Sequence, residues 1–347
     1  MTNSPIHSFA FGVATKNRQG EIIEAFYPAP LRNPEPEMMQ AVLESLGIDG
    51  SANQVVEFGT DQAASLQNKL DAAGFADQAA LVRELASSQS DRIACILSED
   101  LPPVSAAEVF LKLHLLSHRL AVPNSLNLQG AFGLLHNLAW TNQGPVELSE
   151  LPGWQLRCRM AGQLLEVMSV DKFPKMSNYV VPPGVRIAHT ARVRLGAYLG
   201  EGTTVMHEGF VNFNAGSAGK AMIEGRISAS VMVGEGSDLG GGCSIMGTLS
   251  GGGTEVISVG ENCLIGANAG IGFSLGDRCI VEAGLYVTAG TKVNVLDHTG
   301  QLTRTVKAVE LSRQNDLLFR RNSLTGTVEC VPNKAAIELN EELHSHN

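Results

Sequence analysis

The sequence predicts a mainly β protein: a parallel β-helix with an α/β domain before it and a small strand and helix extension after it. Three observations support this prediction: a six-residue repeat of aliphatic residues between Val185 and Val293, glycines directly after many of them, and no such repeat in either flank. An α-helix cannot keep a six-residue stripe on one face, because its period is 3.6 residues. Short strands joined by tight turns can, and a hexapeptide repeat is the sequence signature of a parallel β-helix.

The repeat predicts which side chains fill the core of a three-sided prism. Its positions are Ile187, Val193, Leu199, Val205 and Val211, then Ile227, Val233, Leu239 and Ile245, then Val259, Ile265 and Ile271, and finally Leu275, Val281, Val287 and Val293. Glycine and small residues should occupy the turns between strands. Three steps between these runs are not multiples of six, and each predicts a loop or a short slip at a corner. We expect protruding loops at 212–226 and 246–258.

Composition excludes several classes of protein. The chain has 347 residues, which is enough for two or three domains, and its net charge of −10 argues against a general nucleic-acid or anionic-membrane binder. No stretch approaches 18 consecutive apolar residues, and the N-terminus does not resemble an export signal, so we expect a cytoplasmic protein. The six cysteines show no CxxC spacing, which is typical of small buried residues in a reducing compartment.

The chain divides into four predicted segments: an α/β domain at 1–120, an irregular connecting segment at 121–182, the β-helix at 183–296 and a C-terminal extension at 297–347. In the first segment we predict strands at 8–13, 22–27 and 92–97, with helices at 60–74 and from 77 through 85. A capping box at Ser105 and Glu108 should begin a helix that runs to 120. In the extension we predict a strand at 303–306, a hairpin that includes 317–322 and 326–330, and a helix at 333–344.

Histidines at i, i+4 spacing in the helix after Ser105 do not predict a zinc site. His114 and His118 have this spacing, but Leu115 occupies the place where a zinc protease needs glutamate. We therefore expect them to lie on a polar face or to cap the helix.

Two segments interrupt the repeat with residues that suit a binding site. The first runs over 206–214 and the second, over 238–253, contains seven glycines. Glycine in a strand costs conformational entropy and packs nothing, so these glycines indicate either close approach of a ligand or simple corner and loop formation. Glu224 and Arg226 flank Gly225 and should point the same way, as a binding or proton-transfer site or as a surface ion pair. His207 and Glu208 leave three alternatives open: a base, a ligand or a hydrogen-bonded structural pair.

Several long strings resemble one enzyme family, the longer-chain tetrahydrodipicolinate N-succinyltransferases. The strings are MHEGFVNFNAG at 206–216, IEGRIS at 223–228, GSDLGGGCSIMGTLSGGG at 236–253 and LLFRRNS at 317–323, together with KLHLLSHRL, VDKFPKM and ELNEELH. The likeness covers roughly 105–347, with a looser match before it. It implies a left-handed parallel β-helix and a homotrimer whose active sites lie between subunits.

The resemblance also implies a reaction and its residues. The family transfers the succinyl group of succinyl-CoA to the amine of L-2-amino-6-oxopimelate, the ring-opened form of tetrahydrodipicolinate, in diaminopimelate and lysine biosynthesis. The family's catalytic glutamate matches Glu224, described either as an acyl-anhydride nucleophile or as an acid/base, and we favour the acid/base role. Positions that contact substrate or CoA in the family match Arg226, Gly241, Ser244, Ala267, Glu282, Ala283, Gly290, Lys307, Arg320, Arg321, Asn322 and Ser323.

One metal position matches only in part. Some family members hold magnesium on the trimer axis through an aspartate and a glutamate. The glutamate matches Glu208, but Ala191 stands at the aspartate position. The resemblance therefore supplies one of two ligands, and any metal there should be structural. No tightly bound cofactor is expected.

Three other functions are weighed against this one. A different hexapeptide acyltransferase would use His207 as its base. A zinc enzyme of the γ-carbonic-anhydrase kind needs three histidines, and 185–293 contains only His189 and His207. A non-catalytic scaffold would have no use for the glycine-rich segments or for Glu224 and Arg226.

Overall fold

The computed structural model describes residues 6–247 and 255–333, and the chain forms two compact units. The N-terminal unit contains residues 6–121, 125–174 and 178–180. The β-helix unit contains residues 122–124 and 175–177 and the chain from 181 onward. Among the described residues, no helix is both long and apolar enough to cross a membrane.

The N-terminal unit is built on an antiparallel sheet with the order β2–β1–β5–β4, in which β3 also pairs with β1. Its elements are β1 (Ser8–Lys16), β2 (Ile22–Phe26), β3 (Leu31–Arg32), α1 (Pro36–Leu46), β4 (Gln54–Glu57), α2 (Thr60–Ala72), α3 (Ala76–Leu85), β5 (Asp91–Leu97) and α4 (Ala106–Ser117). The predicted strands and helices of this region are confirmed. The core includes Phe9, Phe11, Leu66 and Leu70, and burial of each such side chain contributes about 1.5–3 kcal/mol.

Helix α4 begins at the predicted capping box and is buried along its whole length. The Ser105 hydroxyl accepts a hydrogen bond from the Glu108 amide at 3.3 Å, and the Glu108 carboxylate accepts one from the Val104 amide at 3.1 Å. The helix ends at Ser117, three residues earlier than predicted, and His118 is its C-cap. The prediction that His114 lies on a polar face or caps the helix is wrong, because every residue of α4 is buried.

His114 is a neutral structural residue. Its Nδ1 donates to the Phe110 carbonyl at 2.7 Å, and its Nε2 accepts from the Tyr27 amide at 3.2 Å. Burial lowers the pKa of His114 from 6.5 to about 3. The ring therefore stays neutral at physiological pH.

The segment predicted to be irregular contains a small antiparallel sheet with the order β7–β6–β8. Its elements are α5 (Ala131–Leu134), β6 (Leu138–Thr141), β7 (Gly144–Glu147), α6 (Leu151–Met160) and β8 (Val167–Asp171). The prediction of irregular structure is therefore wrong here. These strands have only four or five residues, which is too short for a clear period in the sequence.

The β-helix unit consists of three parallel sheets that form the faces of a prism. Its coil strands are β9 (Arg186–Ile187), β10 (Ala197–Leu199), β11 (Thr204–Val205), β12 (Phe210–Val211), β13 (Ala215–Ser217), β14 (Met222–Ile223), β15 (Arg226–Ile227), β16 (Met232–Val233), β17 (Asp238–Leu239), β18 (Ser244–Ile245), β19 (Ser258–Val259), β20 (Leu264–Ile265), β21 (Gly270–Gly272), β22 (Ile280–Val281) and β23 (Tyr286–Thr288). The first sheet is β10–β13–β16–β19, the second contains β9–β11–β14–β17–β20–β22, and the third is β12–β15–β18–β21–β23. All repeat positions except the half-buried Ile187 are buried, which confirms the predicted core.

The six-residue repeat continues further than its aliphatic residues indicate. After Val211 it includes Ser217, which is buried in β13, and then Ile223. The next inward residue, Ile227, comes after only four positions. The predicted loop at 212–226 is therefore wrong: this segment contains β13 and β14, and the slip is confined to the corner at 224–225. Of the second predicted loop, residues 248–254 lie outside the described part of the chain.

The C-terminal strands extend the second sheet. They are β24 (Lys292–Leu296), β25 (Leu302–Lys307), β26 (Leu317–Arg321) and β27 (Val328–Pro332). Strand β26 pairs in parallel with β22 and forms the predicted hairpin with β27. The predicted helix at 333–344 falls almost entirely outside the described residues. All six cysteines are free and buried, as predicted.

Candidate active site

Four predicted site residues lie on successive coils at the corner between the second and third sheets. The Gly242 amide donates to the Glu224 carbonyl at 3.3 Å. The Asn268 amide donates to the Gly241 carbonyl at 2.9 Å, and the Gly284 amide donates to the Ala267 carbonyl at 2.8 Å. Glu224, Gly241, Ala267 and Ala283 therefore follow one edge of the prism, which we call the Glu224 corner.

Glu224 lies in a notch of this edge. The corners of the neighbouring coils have four residues between their strands, at 206–209, 240–243, 266–269 and 282–285, whereas the corner at 224–225 has two. A shorter corner brings its backbone closer to the prism core. Glu224 is accordingly half-buried, whereas Glu208 and Glu282 on four-residue corners are exposed.

The Glu224 carboxylate has open space on the side of the next coil. Its Oε2 is 3.7 Å from the position that a Cβ at Gly241 would occupy, and Gly241 places no side chain there. Within residues 6–247 and 255–333, the carboxylate has no hydrogen-bond or ion-pair partner. The predicted alternative of a surface ion pair between Glu224 and Arg226 is therefore not what the structure contains.

Gly225 makes the short corner possible. A Cβ at this position would overlap Cys243 Sγ and lie 2.6 Å from the Cys243 carbonyl oxygen. Burial raises the pKa of Cys243 to about 12, with Arg226 lowering it and Glu224 raising it. The Cys243 thiol is fully buried and protonated, so it cannot act as a nucleophile at this corner.

Arg226 and Ser244 are neighbours on the outer face of the third sheet. They pair directly in the register of β15 and β18, while the adjacent Ile227 and Ile245 point into the core. Arg226 is exposed and Ser244 is buried. Arg226 follows Glu224 on the same coil, and Ser244 lies on the next coil.

The C-terminal hairpin brings a second group of predicted residues to the end of this corner. The Glu282 amide donates to the Phe319 carbonyl at 2.9 Å, and the Arg321 amide donates to Glu282 Oε2 at 2.7 Å. Glu282 and Ala283 therefore adjoin the residues that follow Phe319, with Ser323 exposed on the hairpin turn.

Glu329 contacts two predicted site residues, Arg320 and Asn322, and was not identified from the sequence. Its carboxylate accepts from Arg320 at 3.0 Å and from Asn322 Nδ2 at 2.7 Å. Glu329 is buried on β27, opposite Arg320 in the register of the hairpin. It orients Arg320 and offsets part of its charge, while Arg321 donates to the Gly326 carbonyl at 3.0 Å. The hairpin register is the signal that could have identified Glu329.

Gly290 and Lys307 lie together at the turn after β23. Lys307 is opposite Lys292 in the register of β24 and β25, and the next amide, of Ala308, donates to the Thr291 carbonyl at 2.9 Å. Both Gly290 and Lys307 are exposed, so the Lys307 side chain can bind an anionic group at this turn.

The residues around Glu208 do not form a metal site within one chain. One carboxylate oxygen contacts Arg192 at 3.0 Å and the other contacts His207 Nδ1 at 3.0 Å. Among residues 6–247 and 255–333, no group of three His, Cys, Asp or Glu side chains is arranged to hold a metal ion. Magnesium prefers several oxygen ligands, and Ala191 supplies none, so we derive no chemistry through a metal.

The geometry suits a narrow, extended ligand beside an available carboxylate. Gly241, Ala267 and Ala283 present small residues on consecutive coils, which are about 4.8 Å apart. A flexible chain can therefore lie along the edge, with one end at Glu224 and the other near the basic residues of the hairpin and the Lys307 turn.

Two family models match parts of the chain. A family model described as "Tetrahydrodipicolinate N-succinyltransferase middle" matches residues 135–175, and one described as "Hexapeptide repeat of succinyl-transferase" matches residues 256–289.

Relatives named 2,3,4,5-tetrahydropyridine-2,6-dicarboxylate N-succinyltransferase align over nearly the whole chain. The Pseudomonas putida protein is 62% identical over 347 residues and covers 100% of both chains. The Pseudomonas aeruginosa protein is 63% identical over 342 residues and covers 99% of both. The Vibrio cholerae protein is 57% identical over 341 residues, covering 98% of this chain and 99% of its own.

A crystal structure from Campylobacter jejuni, titled as a 2,3,4,5-tetrahydropyridine-2-carboxylate N-succinyltransferase, superposes with a TM-score of 0.87. It has 34% sequence identity and covers 96% of this chain and 94% of its own. Because full-length relatives are this similar, the chain belongs to the tetrahydrodipicolinate N-succinyltransferase family.

Proposed function

We propose that the protein is a 2,3,4,5-tetrahydropyridine-2,6-dicarboxylate N-succinyltransferase. It transfers the succinyl group of succinyl-CoA to the amine of L-2-amino-6-oxopimelate, giving N-succinyl-2-amino-6-oxopimelate and CoA in diaminopimelate and lysine biosynthesis. Identity of 57–63% to relatives with this name supports the assignment. The structural observation that carries it is the half-buried Glu224 carboxylate, which is unpaired within the described residues and lies beside Gly241.

Glu224 acts as the acid/base of this reaction. The carboxylate takes a proton from the substrate ammonium, and the free amine attacks the thioester carbonyl. This attack forms the C–N bond, and the nitrogen then loses its second proton to solvent. The C–S bond breaks, and Glu224 passes its proton to the departing thiolate of CoA. An amine is already a good nucleophile once deprotonated, so a covalent acyl-anhydride on Glu224 is the less economical alternative.

The pantetheine arm of succinyl-CoA lies along the Glu224 corner. Gly241, Ala267 and Ala283 leave room for it on successive coils. The exposed Arg321 and Lys307 side chains bind its phosphates, and Arg320, Asn322 and Ser323 complete that end of the site. Arg226 and Ser244 face the reacting ends of the two substrates.

Three further properties belong to this proposal. The coil is left-handed, supported by the match to the hexapeptide-repeat family model and by the superposition on the Campylobacter structure. The protein is a homotrimer with active sites between subunits, because flat prism faces associate around a symmetry axis and form clefts there. The free, buried cysteines support a reducing cytoplasmic location.

The test is a thiol-release assay with the purified protein. Succinyl-CoA and the amino-oxopimelate acceptor should give free CoA, and either compound alone should not. Acetyl-CoA in place of succinyl-CoA should react far more slowly. A preference for acetyl-CoA would make the protein a different hexapeptide acyltransferase, and no acceptor-dependent thiol release would remove the assignment.

A further inference from the structure

A straight row of residues crosses the outer face of the third sheet beside the Glu224 corner. Arg226 pairs with Ser244, Ser244 pairs with Gly270, and Gly270 pairs with Tyr286, each directly in the register of adjacent parallel strands. Their neighbours on the same strands point into the core, so all four face outward. Adjacent strands are about 4.8 Å apart, so the side chains of this row lie within reach of one ligand.

The Tyr286 ring lies over Gly270, its neighbour in this row. A Cβ added at Gly270 would overlap Cε2 and Cζ of Tyr286 and would lie 2.6 Å from its Cδ2. The ring therefore covers Gly270, one strand away from its own backbone. Gly270 is on the strand between those of Tyr286 and Ser244. Glycine at 270 is the residue that permits this position.

Three polar groups in the row have no protein partner. Within residues 6–247 and 255–333, the Arg226 guanidinium, the Ser244 hydroxyl and the Tyr286 hydroxyl make no hydrogen bond or ion pair. Ser244 is only 7% exposed, but its hydroxyl oxygen is not fully enclosed, so it is free to bond a ligand or water. Tyr286 is 45% exposed and accessible.

These three groups suit a ligand that is an anion with two oxygen acceptors. A guanidinium has only donors, and both hydroxyls can donate. Hydrogen bonds from such groups to a carboxylate are stronger than those between neutral groups. Both proposed substrates contain carboxylates: the far end of the succinyl group and the two ends of the amino-oxopimelate.

We propose that Tyr286 is a further specificity-determining residue, whose phenol joins Arg226 and Ser244 in binding a substrate carboxylate. Gly270 positions the ring for this contact. The inference rests on the proposed function, because the substrates come from it.

The experiment compares Tyr286→Phe and Gly270→Ala with the wild-type protein. The first removes only the hydroxyl, and the second displaces the ring while retaining it. Thr288→Ala is the matched control, because Thr288 is exposed and lies on the same strand and face. KM is measured for succinyl-CoA and for the acceptor, each with the other substrate saturating, and for acetyl-CoA as a donor without the carboxylate.

Both variants should raise KM for one substrate roughly tenfold, the effect of losing one hydrogen bond to a charged group, with kcat changed less than about threefold. If the row binds the succinyl carboxylate, KM rises for succinyl-CoA and not for acetyl-CoA. If it binds the acceptor, the KM of the acceptor rises with either donor. Thr288→Ala should match the wild type.

Unchanged KM for both substrates in Tyr286→Phe and Gly270→Ala would overturn the proposal. A second combination of results would also overturn it. If light scattering shows that Tyr286→Ala loses the oligomer while Tyr286→Phe keeps the wild-type KM, Tyr286 is an interface residue. Calorimetric titration with succinyl-CoA, CoA and the acceptor separates this inference from the proposed function. If the wild type shows no turnover, the proposed function fails. If Tyr286→Phe nevertheless weakens the affinity for one of these ligands, the inference that the row binds a carboxylate is still supported.

Discussion

Gly241 lies one coil beyond Glu224, and the Glu224 Oε2 atom is 3.7 Å from the position of a Cβ at residue 241. Three consecutive glycines, at 240–242, therefore adjoin a corner that is two residues shorter than the corresponding corners at 206–209, 240–243, 266–269 and 282–285. This relationship places an accessible carboxylate beside an empty strip of backbone.

Filling that strip should reduce activity without unfolding the protein. Gly241 does not have a positive φ, so side chains are compatible with its backbone. We expect Gly241→Val to lower kcat/KM for succinyl-CoA about 100-fold and Gly241→Ala to lower it less, because misplacement by about 1 Å costs that much. Steady-state kinetics measure this, and unchanged thermal unfolding is the control. Wild-type kcat/KM in Gly241→Val would contradict the predicted ligand path.

Removing the charge of Glu224 should abolish catalysis and spare binding. Glu224→Gln keeps the shape of the side chain, so KM for succinyl-CoA should change less than about threefold. The value of kcat should fall roughly 10²- to 10⁴-fold, the usual contribution of a general acid/base. Steady-state assays of thiol release measure kcat and KM. Near-wild-type turnover would exclude Glu224 from the chemistry. Detection of a succinylated wild-type enzyme by mass spectrometry would favour the acyl-anhydride mechanism.

A methyl group at Gly225 should destabilise the β-helix. The added Cβ would overlap Cys243 Sγ and approach a backbone carbonyl, and backbone cannot move aside as a side chain can. We expect Gly225→Ala to lower the free energy of unfolding by about 1–3 kcal/mol, the usual cost of overpacking. Gly290→Ala is the control, because no atom lies near a Cβ there. Urea unfolding measures the difference, and equal stability of the two variants would show that the corner is not tight.

Acid should destabilise the N-terminal unit through His114. Burial lowers the pKa of His114 from 6.5 to about 3, so the unfolded chain binds this proton more readily than the folded chain. Above pH 6.5 the residue has no effect on the pH dependence. As the pH falls from 6.5 toward 3, stability is lost, by at most about 1.4 kcal/mol per pH unit.

Urea unfolding between pH 4 and pH 7.5 measures this slope. His114→Gln should be less stable at neutral pH but should show a shallower slope. An identical slope in the variant would assign the acid sensitivity to other groups.

Much of the fold was predictable because the hydrophobic period is local. The inward residues of the prism and the cap at Ser105 follow from spacing and residue type alone. The loop predicted at 212–226 failed because Ser217 occupies an inward position that an aliphatic pattern does not detect. The candidate site was predictable only in part. Spacing and a family resemblance both indicated Glu224, whereas Glu329 depends on the register of the hairpin and Tyr286 on pairing between distant strands.

The sequence by itself determined that aliphatic residues six apart would stack as flat coils, since burial of those side chains leaves one favourable arrangement. Only the tertiary structure decided which outward residues become neighbours, because that depends on the number of residues in each complete coil. Arg226, Ser244, Gly270 and Tyr286 are separated by 18, 26 and 16 positions, yet strand pairing aligns them in one row. The number of residues in each coil also makes the corner at Glu224 short and leaves its carboxylate accessible to a ligand.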